Sequence, residues 1–207
     1  MRSAFRSGGD FHAETAAKVF HVDPADVTAE MRRRAKAVNF GIVYGISAFS
    51  LGQDIGVTVA EAKDYMEAYF ATFPGVRRYM DAVVEKAKET GYVETIFHRR
   101  REMPELKSSN FNLRSFGERV ALNMPIQGTA ADIIKIAMVH VRNRLKAEKL
   151  DAKLILQVHD ELIVECPEAE SDTVKKILEE EMANAVQLSV PMLAEAGSGK
   201  SWYQAKG

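Results

Sequence analysis

Arg32, Lys36, Phe40 and Tyr44 follow one another at intervals of four residues, and Gly45 comes directly after the last. Four residues turn an α-helix by roughly 400°, so on a helix these side chains drift slowly around one broad face. Two cations followed by two aromatics on one face suit a ligand with a phosphate end and a flat ring end. A nucleoside triphosphate has both. Far downstream, Val158-His159-Asp160-Glu161 lies between two apolar runs and sets carboxylates at a tight turn. Together the two features suggest phosphoryl transfer on nucleic acid. Plainer alternatives stand beside them. Aromatics at helical spacing are more often core residues than ligand contacts, and a lone His-Asp pair in a hairpin reads by default as a local hydrogen-bonded turn.

The elements that must position these residues are legible from caps and breakers. Asp10 to His21 reads as a short helix. Thr28 caps a longer one through Val43, with Gly45 as its terminator. Ser47 opens a short helix ending near Gly56. Thr58 and Glu61 have capping-box spacing and open a helix to Phe73. Pro74 starts another, which Gly91 ends. Tyr92 to Ile96 alternates like a strand and is expected to pair with residues near Arg100. Glu102 to Asn110 reads as a polar loop. Two helices are expected next, Asn112 to Met124 and Gly128 to Lys149, broken or kinked at Pro125. Lys153 to Val158 and Leu162 to Cys166 form a predicted β-hairpin around the His-Asp-Glu turn. An amphipathic helix over Ala169 to Gln187 and a final strand over Val190 to Ala196 complete the reading. Long helices mixed with a hairpin predict an α+β fold.

The 207 residues are enough for one substantial core or two small subdomains. A hydrophobic fraction of 46% and a charged fraction of 28% are ordinary for a globular protein. Net charge is −1, so no overall basic field advertises nucleic acid. The basic residues cluster instead, at Arg32-Arg33-Arg34 with Lys36 and at Arg99-Arg100-Arg101, where they either grip phosphates or form a solvated face. Cys166 is the only cysteine, which fits a reducing compartment. The N-terminal residues have no signal-peptide core, and no apolar run has the length of a membrane span, so a cytoplasmic location is expected.

Three longer stretches carry a family resemblance. Arg32-Arg33-Arg34-Ala35-Lys36-Ala37-Val38-Asn39-Phe40-Gly41-Ile42-Val43-Tyr44-Gly45 resembles motif B of the family A DNA polymerases, the bacterial polymerase I group. Gln157-Val158-His159-Asp160-Glu161 is similar to that family's motif C. Between them, Glu118-Arg119 and Asn123 through Asp132 resemble its primer-template binding segment. The resemblance implies a mostly helical fingers subdomain over 1–91, with the motif B helix at 28–44. It implies part of an antiparallel palm sheet over 92–207, with the catalytic hairpin at 153–166. It places Arg32 and Lys36 on the triphosphate, Lys36 serving catalysis as well. Phe40 would lie against sugar and base, and Tyr44 near the templating base. Arg119, Asn123 and Gln127 would lie in the minor groove of the duplex, with His159 near the primer terminus. Asp160 is implied as the Mg²⁺ ligand, with Glu161 assisting, and primer-template DNA and dNTP as partners. Phenylalanine at position 40 implies poor acceptance of dideoxynucleotides.

Two departures qualify the resemblance. The family's motif A, with the other metal-binding aspartate, belongs upstream of Ala4 to His12. The chain is therefore expected to begin after it, as fingers and half of a palm, without thumb or exonuclease. It is expected to be inactive alone, and either to self-associate through an uncovered hairpin or to rely on a polypeptide that supplies motif A. A non-catalytic nucleotide- or nucleic-acid-binding remnant is the alternative. His98 stands where the family often has glycine.

Overall fold

In the computed structural model, residues 2–6 and 8–206 are described. They form two compact units, Met1–Gly128 and Thr129–Gly207, with the division inside one helix. No described helix is long and apolar enough to cross a membrane. The fold is α+β, mostly helical with two separate two-stranded antiparallel sheets among the described residues.

The first unit opens with α1 (Arg2–Arg6), which the sequence patterns did not indicate. In α2 (Phe11–Phe20), the Asp10 carboxylate caps by accepting from the backbone N–H groups of His12 and Ala13. A 3₁₀ turn at Pro24–Asp26 leads to α3 (Ala29–Val43), capped by the Thr28 hydroxyl. Gly45, at φ 70°, lets the chain leave α3 in the left-handed conformation, and the Ile46 N–H closes back on the Gly41 carbonyl. Then follow α4 (Ala48–Ile55), α5 (Val59–Thr72) and α6 (Pro74–Thr90). Their ends match the expected signals: the Ser47 cap, left-handed Gly56, the reciprocal Thr58–Glu61 capping box, Pro74 at the first position and left-handed Gly91.

Val19, Val38, Ile42, Leu51, Ile55, Ala62, Tyr69 and Phe73 form the core of this helical assembly. On α3 the buried positions are Ala35, Val38, Asn39, Gly41 and Ile42. Sealing that stripe into the core turns the opposite face of α3 to solvent.

The strand expected at Tyr92 is β1 (Tyr92–Glu94), paired with β2 (Arg100–Glu102). His98 sits in the connecting turn at φ 63°. Glycine takes that conformation without strain, whereas a side chain there costs about 1–2 kcal/mol. His98 therefore holds the turn in a conformation that glycine favours. The segment after β2 is less open than expected. A 3₁₀ turn at Pro104–Lys107 buries Leu106, and with it Met103, against Ala87, Val93, Ala121 and Met124.

The two helices expected around Pro125 are one helix, α7 (Phe111–Ala147), with the proline inside. Asn110 caps it by accepting from the N–H groups of Asn112 and Leu113. Proline removes one rung of the helical ladder. Ala121, Leu122 and Met124 before the proline and Gly128 after it are buried, so packing holds the helix on both sides of the lost rung.

The second unit contains the end of α7, then β3 (Lys153–Val158) and β4 (Glu161–Glu165), paired antiparallel with an irregularity between Leu154 and Leu156. A 3₁₀ turn at Glu168–Glu170 precedes α8 (Ser171–Ala183), shorter than the expected 169–187 helix. Val141, Leu145, Val174 and Ile177 form the core between α7 and α8. No strand forms over 190–196 among the described residues. Pro191 lacks the N–H that a ladder needs, and the Ala196 N–H goes to the Glu179 carboxylate instead. A short helix, α9 (Trp202–Ala205), follows. It is too brief to leave a periodic signal.

Candidate functional site

Arg32, Lys36 and Phe40 are exposed on the outer face of α3, and Tyr44, its C-cap, is exposed beside them. Core packing does not account for the two aromatics, since Phe40 keeps 46% and Tyr44 38% of its surface. Their rings stack at 6.3 Å between centroids with an 18° interplanar angle. Lys36 Nζ lies 6.0 Å from the Phe40 ring centroid. The row therefore runs from a charged end to a stacked ring end. Arg33 and Arg34 do not join it. Both pair with Glu30, at 2.7 and 2.9 Å, and their hydrogen bonds hold its carboxyl down to about 2. Those two arginines are engaged within α3 by Glu30.

Two further residues stand beside the row without having been expected there. Asp10 Oδ2 accepts from Arg32 Nε at 2.5 Å. That bond, the largest of several effects, holds the Asp10 carboxyl below its usual range. The His12 ring lies 5.6 Å from Phe40, with the Asn39 amide nitrogen 2.9 Å from His12 Nδ1. Burial pushes the imidazole pKa down, and the charges of Arg32 and Lys36 add to the effect against the opposing pull of Asp10. A neutral imidazole beside two cations is thus the favoured state. The signal that could have found both residues is the N-cap spacing of Asp10-Phe11-His12, which aims that helix start at one place.

At the ring end, Gln127 Nε2 donates to the Tyr44 hydroxyl at 2.7 Å. An open cleft here is lined by Phe40, Tyr44, Ser47, Asp54 and Arg119, among others. Arg119 is exposed and donates through Nη1 to the Ser115 hydroxyl at 3.2 Å. Because α7 runs unbroken, Arg119, Asn123 and Gln127 keep the four-residue helical spacing. Asn123 is half-buried, and its Oδ1 is buried without a hydrogen-bond partner. Gly45 is the close approach that seats α7 here. A Cβ on it would come within 3.2 Å of Arg119 Cγ and 3.3 Å of Leu122 Cδ1, at a φ that disfavours side chains. Gly45→Ala is therefore expected to destabilise the fold by about 1–2 kcal/mol and to displace Arg119. An unchanged urea midpoint would count against this.

In the second unit, His159 and Asp160 form the turn between β3 and β4. His159 is left-handed, at φ 52°, and its carbonyl accepts from Gln157 Nε2 at 2.6 Å. Both turn side chains are exposed. Glu161, the first residue of β4, is engaged elsewhere. Its Oε1 lies 2.8 Å from Lys206 Nζ, and its Oε2 accepts from Trp202 Nε1 at 3.3 Å. Lys206 foremost holds the Glu161 carboxyl below its usual range. No group of three His, Cys, Asp or Glu side chains among the described residues is placed to hold a metal. Mg²⁺ does not require such a cage, since water and substrate phosphate oxygens fill much of its octahedron beside one or two carboxylates. Asp160, a hard oxygen donor on a short turn, suits that use.

The chain is 55% identical over 203 residues to DNA polymerase I of Geobacillus stearothermophilus. It is 53% identical over 203 residues to DNA polymerase I of Bacillus subtilis. Each match covers 98% of this chain and 23% of the relative, so the chain spans under a quarter of the length of these relatives. Among solved structures it is similar to the POL domain of Pol1 from M. smegmatis in complex with DNA primer-template and dNTP. The TM-score is 0.94 and the identity 45%, over 99% of this chain and 36% of that one. Residues 1–204 match the model of DNA polymerase family A, and with the motif rows in place on α3, α7 and the β3–β4 turn, the chain belongs to that family.

Proposed function

We propose that this chain supplies the incoming-nucleotide face and a catalytic hairpin of a template-directed DNA polymerase. The reaction joins a deoxynucleoside triphosphate to a primer 3′-hydroxyl and releases pyrophosphate. The observation that carries this reading is the exposed row on α3, cationic at one end and stacked rings at the other. Arg32 and Lys36 would hold the triphosphate and offset the charge that builds on the leaving pyrophosphate. Phe40 would take sugar and base, and Tyr44 would lie beside the templating base. His12 would add a neutral donor at the same face. Arg119, Asn123 and Gln127 would meet the duplex minor groove, where every Watson–Crick pair presents N3 and O2 acceptors. Donors there sense pair shape without reading sequence. His159 would lie near the primer terminus. Fingers over 1–91 and palm over 92–207 are the functional division this reading implies.

Asp160 would be the hairpin's Mg²⁺ ligand. Bound Mg²⁺ would activate the primer hydroxyl and stabilise the leaving group. The direct test is titration with dATP and with deoxyadenosine. Binding that depends on the triphosphate and weakens with salt is expected. Equal affinity for both, or none for either, would overturn the reading.

A binding role without chemistry has one observation in its favour: the metal donors gathered among the described residues are few. Primer extension by the chain alone is accordingly expected to fail. Extension that disappears in Asp160→Ala would show that further carboxylates of this chain complete the site. Exposed Ile155 and Leu156 on β3 support association with another chain. Light scattering that stays monomeric across micromolar concentrations would refute that association.

A further inference from the structure

Trp202 and Lys206 have no part in the reading above, yet between them they occupy both oxygens of Glu161. The Lys206 ammonium also stands 5.8 Å from the Trp202 ring centroid, so the indole braces the cation while donating to the same carboxylate. The segment that delivers them is itself held in place. The Ser201 hydroxyl caps α9 by accepting from the Gln204 N–H, and Gln204 Oε1 accepts from the Lys200 N–H at 3.0 Å. The Ala196 N–H fastens the preceding stretch to Glu179 of α8 at 3.1 Å. A Cβ on Gly199 would come within 2.7 Å of Gln204 Cβ, so the chain closes tightly on α9.

We infer that Lys206 and Trp202 act as a counter-ion clamp that holds Glu161 out of the cation site, leaving Asp160 as the hairpin's carboxylate for Mg²⁺. The inference rests on the metal role proposed for Asp160. An isolated exposed ion pair is weak. Here both donors come from one short capped segment, and the ammonium stands beside the indole that donates to the same carboxylate. The ammonium further opposes any cation drawn toward Glu161. The chemical consequence is an open coordination shell. Two free adjacent carboxylates would bind a divalent ion more tightly and take positions that Mg²⁺ must keep for phosphate oxygens.

The test needs neither nucleotide nor activity: Mn²⁺ binding to the chain, read from the free-ion electron paramagnetic resonance signal. Lys206→Gln is expected to raise Mn²⁺ affinity roughly 3- to 10-fold, by freeing a second carboxylate and removing a positive charge. Trp202→Phe removes one donor and keeps the charge, so a smaller rise is expected. The Lys206→Gln rise should shrink to its smaller charge-only part in a Glu161→Gln background, and Lys200→Gln should change nothing. No rise in Lys206→Gln, or an equal rise without Glu161, overturns the clamp. Asp160→Asn reports separately on the proposed metal ligand. If it leaves Mn²⁺ binding intact while the Glu161-dependent rise persists, the metal role of Asp160 fails and the clamp stands.

Discussion

Lys36→Ala is expected to weaken dATP binding about 10- to 100-fold, the range for losing a charge-assisted hydrogen bond to phosphate, with deoxyadenosine affinity changed less than about twofold. The asymmetry follows from the order of groups along α3, since Lys36 sits at the charged end and Phe40 and Tyr44 form the ring end. Lys36 is exposed and lies outside the core cluster, so thermal stability should move by no more than about 0.5 kcal/mol. Arg32→Ala is expected to cost more than Lys36→Ala for a specific reason. It removes a cation and also strips Asp10 of its partner, leaving a bare carboxylate beside the phosphate path. Asp10→Asn added to Arg32→Ala should recover part of the loss, because asparagine caps α2 nearly as well as aspartate. Isothermal titration across the four proteins settles the matter. Equal losses for the two single variants, with no recovery in the double, would show that Asp10 stands apart from the nucleotide.

Faces were legible in the sequence and partners were not. Caps and terminators marked α3 to α6 closely because each is a local contest: Thr58 against Glu61, Pro74 at a first turn, Gly45 and Gly91 in the left-handed region. The row on α3 was legible for the same reason, since a four-residue interval reports a shared face. The pairings that complete the site join residues far apart in the chain. Arg32 meets Asp10, Asn39 meets His12, and Tyr44 meets Gln127 across 83 positions. No periodicity encodes such pairings. Glu161 shows the same limit more sharply. Beside Asp160 it reads as a second catalytic carboxylate, and only folding brings Trp202 and Lys206 onto it. Pro125 and the 190–196 stretch failed in opposite directions. A helix breaker was overruled by buried neighbours on both sides. A run with strand composition had a proline inside it and no ladder to join.

Tyr69→Ala is expected to lower the stability of the first unit by about 3–5 kcal/mol, the usual loss for a buried aromatic cut to alanine. Against a typical total of about 5–15 kcal/mol, that is a large share. Tyr69 keeps 1% of its surface exposed and packs edge-on against Phe73 at 5.0 Å and Phe70 at 5.8 Å. Truncation leaves a cavity where α5 meets α3, because Val38 and Ile42 belong to the same cluster. The row on α3 is held from beneath by those residues. Nucleotide affinity should therefore fall in Tyr69→Ala even at temperatures where the unit stays folded. Tyr69 also gives this unit an alkaline limb. Burial pushes its phenol from 10.0 up to about 12. The unfolded chain then loses the proton first, so the stabilisation is complete below pH 10 and is lost as pH rises toward 12. Tyr69→Phe keeps the ring and has no proton to lose. Urea midpoints followed from neutral pH upward should decline less in Tyr69→Phe than in the unaltered protein, and parallel declines would refute this account of the core.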